Sequence, residues 1–415
     1  MAVFNVSGAA QFQAALSQAI GGDKILLAPG DYESVTISGR KFSSNVIIQS
    51  ASWTDRAHFD DLTVTNSKNI LFNGLDLGRG RVASDSEFGH INHVRWSTNI
   101  RFNDTRIHGD QLGTSADDLI GLSIYDSYSV KVTNSDFGDL VRGVYVLRSN
   151  DTAVTGNDFH NIRMDGVAAA SATSILIHDN LFRNFEPVGD DHADAIQFWN
   201  SGQAKGSSNI SIKNNVIWFP EDYAGADQGV QGVWIADPGS LGYRNVTIQN
   251  NLIYANDRWN GVSVYGGNGV QVLNNTLLSR TDDSKFLWVR VEDSRSVAVR
   301  GNVTEDQYVR GTSGLTQSGN LDLSDSPALR SLFADLDAPE SIYDLITPGV
   351  GYQPTANLLA TVPLGKLQGA QALRSAPVLE DLVELSTPET VVDALPEMNS
   401  ALPTHWFFDS YIALP

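Results

Sequence analysis

An eight-residue pattern recurs along the middle of this chain and limits what it can fold into. It begins at Ile70, Ile100, Val130, Thr152, Ile175, Ile210, Val246, Val270 and Val297. Subtracting neighbouring starts gives separations of 30, 30, 22, 23, 35, 36, 24 and 27 residues. A floor near 22 with variable excess suits a coil of three short strands, with loops inserted at one or two corners. The sixth position reads Asn157, Asn180, Asn215, Asn251, Asn275 and Asn302. In stacked coils these side chains would stand about 4.8 Å apart, close enough for each amide to bond the next. Asparagine also tolerates the bent backbone that a corner requires.

A second strand precedes each of these at a nearly fixed distance. The aligned pieces are Gly121–Tyr125, Gly143–Leu147, Gly166–Ala170, Ala195–Trp199, Gly232–Ala236 and Gly261–Tyr265, with 287–292 in looser register. Inward positions are nearly all apolar. The outward column reads Ser123, Tyr145, Ala168, Gln197, Trp234, Ser263 and Arg290, and its neighbour reads Tyr125, Leu147, Ala170, Trp199, Ala236, Tyr265 and Glu292. Such alternation predicts the half-exposed face of a parallel sheet.

The start of the chain predicts a lid. Residues 9–20 read as a short helix with Phe12, Ala15, Leu16 and Ile20 on one side, ended by Gly21-Gly22. An apolar strand and an Ala28-Pro29-Gly30-Asp31-Tyr32 turn follow. This opening resembles that of right-handed parallel β-helix (pectin-lyase-like) proteins, especially chondroitinase-B-like and alginate-lyase-like polysaccharide lyases. There the helix covers core and strand edges that the first coil would otherwise expose. The fold expected is all-β: a single-stranded right-handed parallel β-helix of about ten coils over residues 1–310, capped by helix 9–20. Residues 311–375 read as an irregular C-terminal region with short helical pieces at 329–336 and 341–345. Residues 376–415 read as an acidic, proline-containing arm ending in the aromatic stretch 405–412. That end should dock on the open end of the coil, on another subunit, or on a larger particle.

Charge and composition narrow the partners. A formal net charge of −20 argues against nucleic acid. There is no run of about 18 apolar residues, so no membrane insertion is expected. Cysteine is absent, which excludes disulfides and thiolate metal sites. Residues 1–5 lack a basic segment followed by an apolar run and do not read as a signal peptide. The expected location is extracellular, or the surface of a virion-like particle, reached after removal of a signal, by another export route, or as part of the particle.

Chemistry concentrates at Gly189–Trp199, which packs Asp190, Asp191, His192 and Asp194 at the entrance of a strand. The residues just before each second strand form a column of Arg142, Asp165, Asp194, Gln231 and Asn260. Two positions earlier stand Leu140, Arg163, His192, Gly229 and Arg258. Register therefore gathers Arg142, Arg163, Asp165, His192 and Asp194 over two or three coils, within roughly 10 Å. Tyr145, Trp199, Trp234, Trp259 and Tyr265 share the face. Sugar rings stack on such platforms while Gln197, Arg258 and the acids bond hydroxyls, so a polysaccharide is the expected partner. Blander readings stand beside this one. Loops can cover the tryptophans, Asp165 can be a structural ion partner of Arg142 or Arg163, and Asp190 with Asp191 can hold calcium at a turn. Zinc is disfavoured there, since only one histidine is local. No cofactor is required.

Two chemistries fit a catalytic cluster. In a lyase or uronate C5-epimerase, His192 would be the base and Arg142 or Arg163 would clamp the uronate carboxylate. In a glycoside hydrolase, Asp194 would pair with Asp165 or Asp191. The resemblance to polysaccharide lyases implies uronate polymers, often calcium, and a lysine base with an arginine, but the second-strand face carries no lysine. Asp191-His192-x-Asp194 resembles the Asp-Pro-His stretch of mannuronan C5-epimerases, and Asp190-Asp191 resembles a polygalacturonase motif. Spikes and fibres of tailed phages and gene transfer particles, which use β-helices to bind cell-surface polysaccharide, are a further resemblance. Homo-oligomer or particle assembly would then run through the C-terminal region.

Overall fold

The computed structural model describes residues 1–353, apart from 113–117, 221–228, 257, 281–284, 325–326, 334–335, 338 and 340–341. The arm 376–415 and its aromatic end therefore lie outside the described residues. Among the described residues the strands sort into three parallel sheets of thirteen, eleven and twelve strands. Successive strands visit the three sheets in turn, which makes a parallel β-helix. Ile70, Ile100, Val130, Thr152, Ile175, Ile210, Val246, Val270 and Val297 fall in one continuous register across the thirteen-stranded sheet. The second strands make up the eleven-stranded sheet, where Ser123, Tyr145, Ala168, Gln197, Trp234, Ser263 and Arg290 align as expected. The looser register of 287–292 is a bulge between Asn260 and Val262.

The core is a column of apolar side chains inside the coil. Ring stacks run along it, from Phe137 to Phe159 at 4.7 Å and on to Phe182 at 4.9 Å between centroids. These rings explain the recurring glycine of the second strand. A Cβ at Gly143 would lie 2.6 Å from the Phe159 ring, and one at Gly166 2.6 Å from Phe182.

The asparagine ladder is present. Each Nδ2 from Asn157 to Asn302 donates to the Oδ1 of the next asparagine, at 2.8–3.1 Å, and all six side chains are buried. The final acceptor is Asn320, one rung beyond the sequence reading. One detail differs from expectation. The bent backbone belongs to the residue before each rung, and Asn134, Gly156, Asp179, Asn214, Asn250, Asn274 and Gly301 all have φ between 50° and 70°. That corner needs two residues per coil, one left-handed and one laddered. A serine ladder missed in the sequence fills the corner leaving the eleven-stranded sheet. There Ser67, Ser97 and Ser127 each donate a backbone N–H to the next serine hydroxyl, the last to Ser149, at 3.1–3.2 Å.

The ends differ more. The helix spans Ala9–Gln18 and buries Phe12, Ala15 and Leu16, but Ile20 lies beyond it and is 69% exposed. A strand at Val3–Val6 precedes the helix and pairs with Lys24–Leu27. At the other end strands continue past residue 310, to Leu321–Asp322. Two 3₁₀ turns follow, Pro327–Leu332 and Ile342–Leu345. This segment is tied to the coil by Tyr254 Oη donating to the Leu336 carbonyl at 2.7 Å, and by the Asn250 side-chain amide, which donates to the Gln353 carbonyl and accepts from the Gln353 N–H, each at 2.8 Å. Among the described residues no helix is long and apolar enough to cross a membrane.

Candidate functional site

The column before the second strands runs Arg142, Asp165, Asp194, Gln231, Asn260. At its lower end Arg142 Nε donates to Asp165 Oδ2 at 2.7 Å, and both side chains are buried. Arg163 is engaged separately, its Nε 2.7 Å from Asp191 Oδ2, with Glu87 3.4 Å from its terminal nitrogen. The Phe88 ring packs 5.7 Å from both guanidiniums. Both arginines are thus held inside ion pairs, the blander of the two readings for Asp165. Asp191 likewise turns both oxygens to Arg163. Among the described residues, the groupings whose ligand atoms converge lie elsewhere and do not include Asp190 or Asp191.

His192 and Asp194 form the middle of the column. His192 Nδ1 lies 2.9 Å from Asp194 Oδ2, which also accepts Gln197 Nε2 at 3.0 Å. The Asp194 side chain is fully buried, while the His192 side chain keeps 41% of its accessible surface. Burial, with the like charge of Asp165 added, pushes Asp194 up to about 6 against the pull of His192. Burial raises Asp165 too, against Arg142. Desolvation works against charge on His192, but Asp194 and Asp165 outweigh it and raise the imidazole.

The upper end fixes the orientation of this histidine. The Trp288 indole N–H, which can only donate, reaches Asn260 Oδ1 at 2.8 Å. The Asn260 amide nitrogen therefore faces Gln231 Oε1. Gln231 then presents its own NH₂ to His192 Nε2 at 2.6 Å. In the neutral ring His192 Nε2 is thereby left as an acceptor, and Nδ1–H donates to Asp194. A donor-only group three coils away thus selects the tautomer of the exposed imidazole. Arg258 lies across Gly229, where a Cβ would sit 2.6 Å from its Nε, and its charge bears on both His192 and Asp194.

The aromatic residues divide. Trp234 is 8% exposed, with its ring between His192 and Tyr265 at centroid distances of 5.5 Å each. It is an internal filler and not an open platform. Trp199 is half-buried beside Tyr145 at 5.6 Å, in a patch with Tyr125, Leu147 and Ala170. Trp259 is 38% exposed and stacks on Trp288 at 5.7 Å, and Trp288 leads on to Tyr308 at 6.3 Å. Arg290 lies over the rings of Tyr265, Trp288 and Tyr308 at 5.1–5.2 Å. The open aromatic surface is therefore displaced toward Trp259, Trp288 and Tyr308.

A family model described as a right handed beta helix region matches residues 120–303. The fold is a right-handed parallel β-helix. A second model, described as periplasmic copper-binding protein (NosD), matches residues 18–211 of the same β-helix. No curated protein matches. Similar solved structures include the PL6 family alginate lyase AlyGC, at 12% identity over 72% of this chain, TM-score 0.44. This chain spans about half, 47%, of that enzyme. An alginate lyase from Paenibacillus sp. str. FPU-7 is similar at 14% identity over 77% of this chain and 99% of that one, TM-score 0.44. PfbA, a surface adhesin of Streptococcus pneumoniae, is similar at 13% identity over 75% and 86%, TM-score 0.47. These likenesses concern the fold.

Two histidines of this β-helix extend the site columns downward and were missed in the sequence. His90 stands one coil below Ile120, and His93 one below Ser123. Their three-residue spacing is that of Asp194 and Gln197, which was the available signal. His90 bonds Ser123 Oγ at 2.6 Å and faces Tyr125 Oη at 3.3 Å. Burial pushes His90 down to about 3 and His93 down to about 4, so both are neutral at pH 7.

Proposed function

We propose that this β-helix binds an extracellular or cell-surface polysaccharide along its eleven-stranded sheet. The observation that carries the reading is the bonded line His192–Gln231–Asn260–Trp288 flanked by Trp259 and Tyr308. It sets amides, an imidazole and flat rings on successive coils, at a repeat suited to a polymer lying across the strands. Binding stands ahead of cleavage for a geometric reason. His192 Nε2, the atom a base would use, already accepts from Gln231, and a substrate proton must displace that donor. Asp165 and Asp194 are fully buried, which disfavours a two-carboxylate hydrolysis.

The second reading is proton abstraction by His192 from a uronate, as in a lyase or epimerase, favoured by the buried carboxylate behind an exposed imidazole. Calcium is no part of either reading. Display on a phage-like particle would depend on residues 376–415, and imaging the native assembly tests it.

The test is affinity electrophoresis through alginate, other uronates and capsular polysaccharide. Trp259→Ala should weaken retardation about tenfold in the retained glycan, equivalent to about 1.4 kcal/mol. Wild type passing unretarded through every glycan, or Trp259→Ala retarded equally, would sink the groove. Unsaturated product absorbing in the ultraviolet, abolished in His192→Ala, would move the conclusion to lyase.

A further inference from the structure

A separate cluster lies on the twelve-stranded sheet. Asp31, His58 and Asp76 align over three successive coils. His108 stands in the adjoining column, paired with Gly78. Asp76 is the centre, with Oδ2 3.4 Å from His58 Nδ1 and Oδ1 3.3 Å from His108 Nε2. The two imidazoles are near parallel, 6.0 Å between centroids.

His108 is the informative member. It is 9% exposed, and its Nδ1 lies 2.7 Å from the Gly109 carbonyl, which can only accept. Nδ1 therefore carries the proton, and Nε2 offers a lone pair to the Asp76 carboxylate. Both Nε2 and Asp76 Oδ1 are buried without a hydrogen-bond partner. The Arg106 guanidinium comes no nearer to Asp76 Oδ1 than 3.8 Å, beyond hydrogen-bond reach, so two lone pairs facing at 3.3 Å call for a further cation, either a second proton on His108 or a metal ion. The same face shows what a proton alone gives, since His160 Nε2 makes an aligned 3.1 Å hydrogen bond to Asp136 with no second imidazole. At Asp76, two imidazoles converge on one carboxylate with all three ligand atoms within 4.8 Å. Ligands about 2.0–2.1 Å from a tetrahedral ion stand about 3.4 Å apart, close to the 3.3–3.4 Å between each imidazole nitrogen and the Asp76 oxygen it faces. Each imidazole also has an acceptor beside its other nitrogen, Gly109 for His108 and Asp60 Oδ1, at 3.5 Å, for His58. That outer arrangement is typical of ligating histidines.

We propose that His58, Asp76 and His108 bind a divalent transition metal ion of the zinc and copper class, with a coordination position left open toward solvent. Two imidazoles and one carboxylate suit such ions better than calcium. The site is independent of the polysaccharide surface and lies on another sheet.

The experiment uses the full chain, stripped by chelator dialysis, titrated calorimetrically with Zn²⁺ alone and, by electron paramagnetic resonance, with Cu²⁺ alone. One ion per chain is expected, with hyperfine coupling to two nitrogens for Cu²⁺. His58→Ala, Asp76→Asn and His108→Gln should each weaken binding by more than about tenfold, the effect of losing an outer partner alone. His160→Ala should leave it unchanged. If His108→Gln does not fold by circular dichroism, half-buried His58→Ala carries the test. Wild type binding neither ion, or no more tightly than His58→Ala, overturns the site and leaves an imidazolium–carboxylate cluster.

Discussion

Two stacked columns of this β-helix obey the same spacing and do opposite things with it. In the ladder from Asn157 to Asn320 every rung repeats one residue and one bond, and all but the last are buried. In the column Arg142, Asp165, Asp194, Gln231, Asn260 every rung differs: Arg142 pairs with Asp165, Asp165 acts on Asp194 by charge, Asp194 reaches Gln231 through His192, and Gln231 bonds Asn260. The corner column makes the coil regular. The face column uses that regularity to place unlike groups at bonding distance. The comparison teaches that in a parallel coil chemical variety is admissible where the backbone does not depend on it.

The largest expected effect lies in the face column. Arg142→Met leaves Asp165 buried beside Asp194 without its cation, and urea unfolding should show a loss of about 3–5 kcal/mol. A loss below about 1 kcal/mol would mean that Asp165 simply takes up a proton. Next come Asn215→Ala and Asn251→Ala. Each strands the donors of the rung below, and each should cost about 3 kcal/mol. The comparison predicts equal costs for these two, and unequal ones would show that the rungs are not equivalent.

The third test is a pH profile. Asp194, raised to about 6, binds its proton more readily folded than unfolded, where a carboxyl titrates near about 3.9. Its contribution to stability is complete below about pH 4 and lost as pH rises toward about 6. The raised His192 has the same sign, its contribution being present below about 6.5 and lost as pH climbs through the raised value. Melting temperatures between pH 4 and 6 should therefore fall more steeply for wild type than for Asp194→Asn. Parallel curves would remove Asp194 from the account. The smallest effect tests the tautomer relay. Asn260→Asp offers only acceptors, so Gln231 should turn its carbonyl to His192 and favour the imidazolium. The nuclear magnetic resonance titration of His192 should move upward with little change in stability, and a downward shift would break the relay from Trp288.

Legibility in the sequence followed this same division. The ladder, the starts from Ile70 to Val297 and the outward column from Ser123 to Arg290 were readable because strict period leaves a trace in one dimension. The gathering of Asp165, His192 and Asp194 followed from register alone. What failed needed lateral knowledge. Trp234 looks like a platform until His192 and Tyr265 close on its two sides. Ile20 fits the helix stripe, but the helix stops two residues earlier. His58, Asp76 and His108 are separated by 18 and 32 residues, taking differences of their numbers, and no local motif joins them.

The corners have a consequence for how such a chain can change over time. The turn into the twelve-stranded sheet is two residues long in coil after coil, as at 134–135, 156–157 and 214–215. The connection onward to the eleven-stranded sheet ranges from a single residue, at 141 and 305, to the long spans 79–89 and 184–193. Those spans end beside His90 and Asp194. Length variation is thus greatest at the edge where a ligand would be read, with shorter insertions at 200–207 and 236–242 on the opposite edge of the same sheet, and it leaves the laddered corner in register. Such an arrangement allows recognition segments to be exchanged as cassettes while the scaffold inherits its register unchanged. A graft of a foreign loop at the exposed tip 188–190, which spares Phe185, Asp191 and His192, should alter what is bound and leave the melting of the coil where it was.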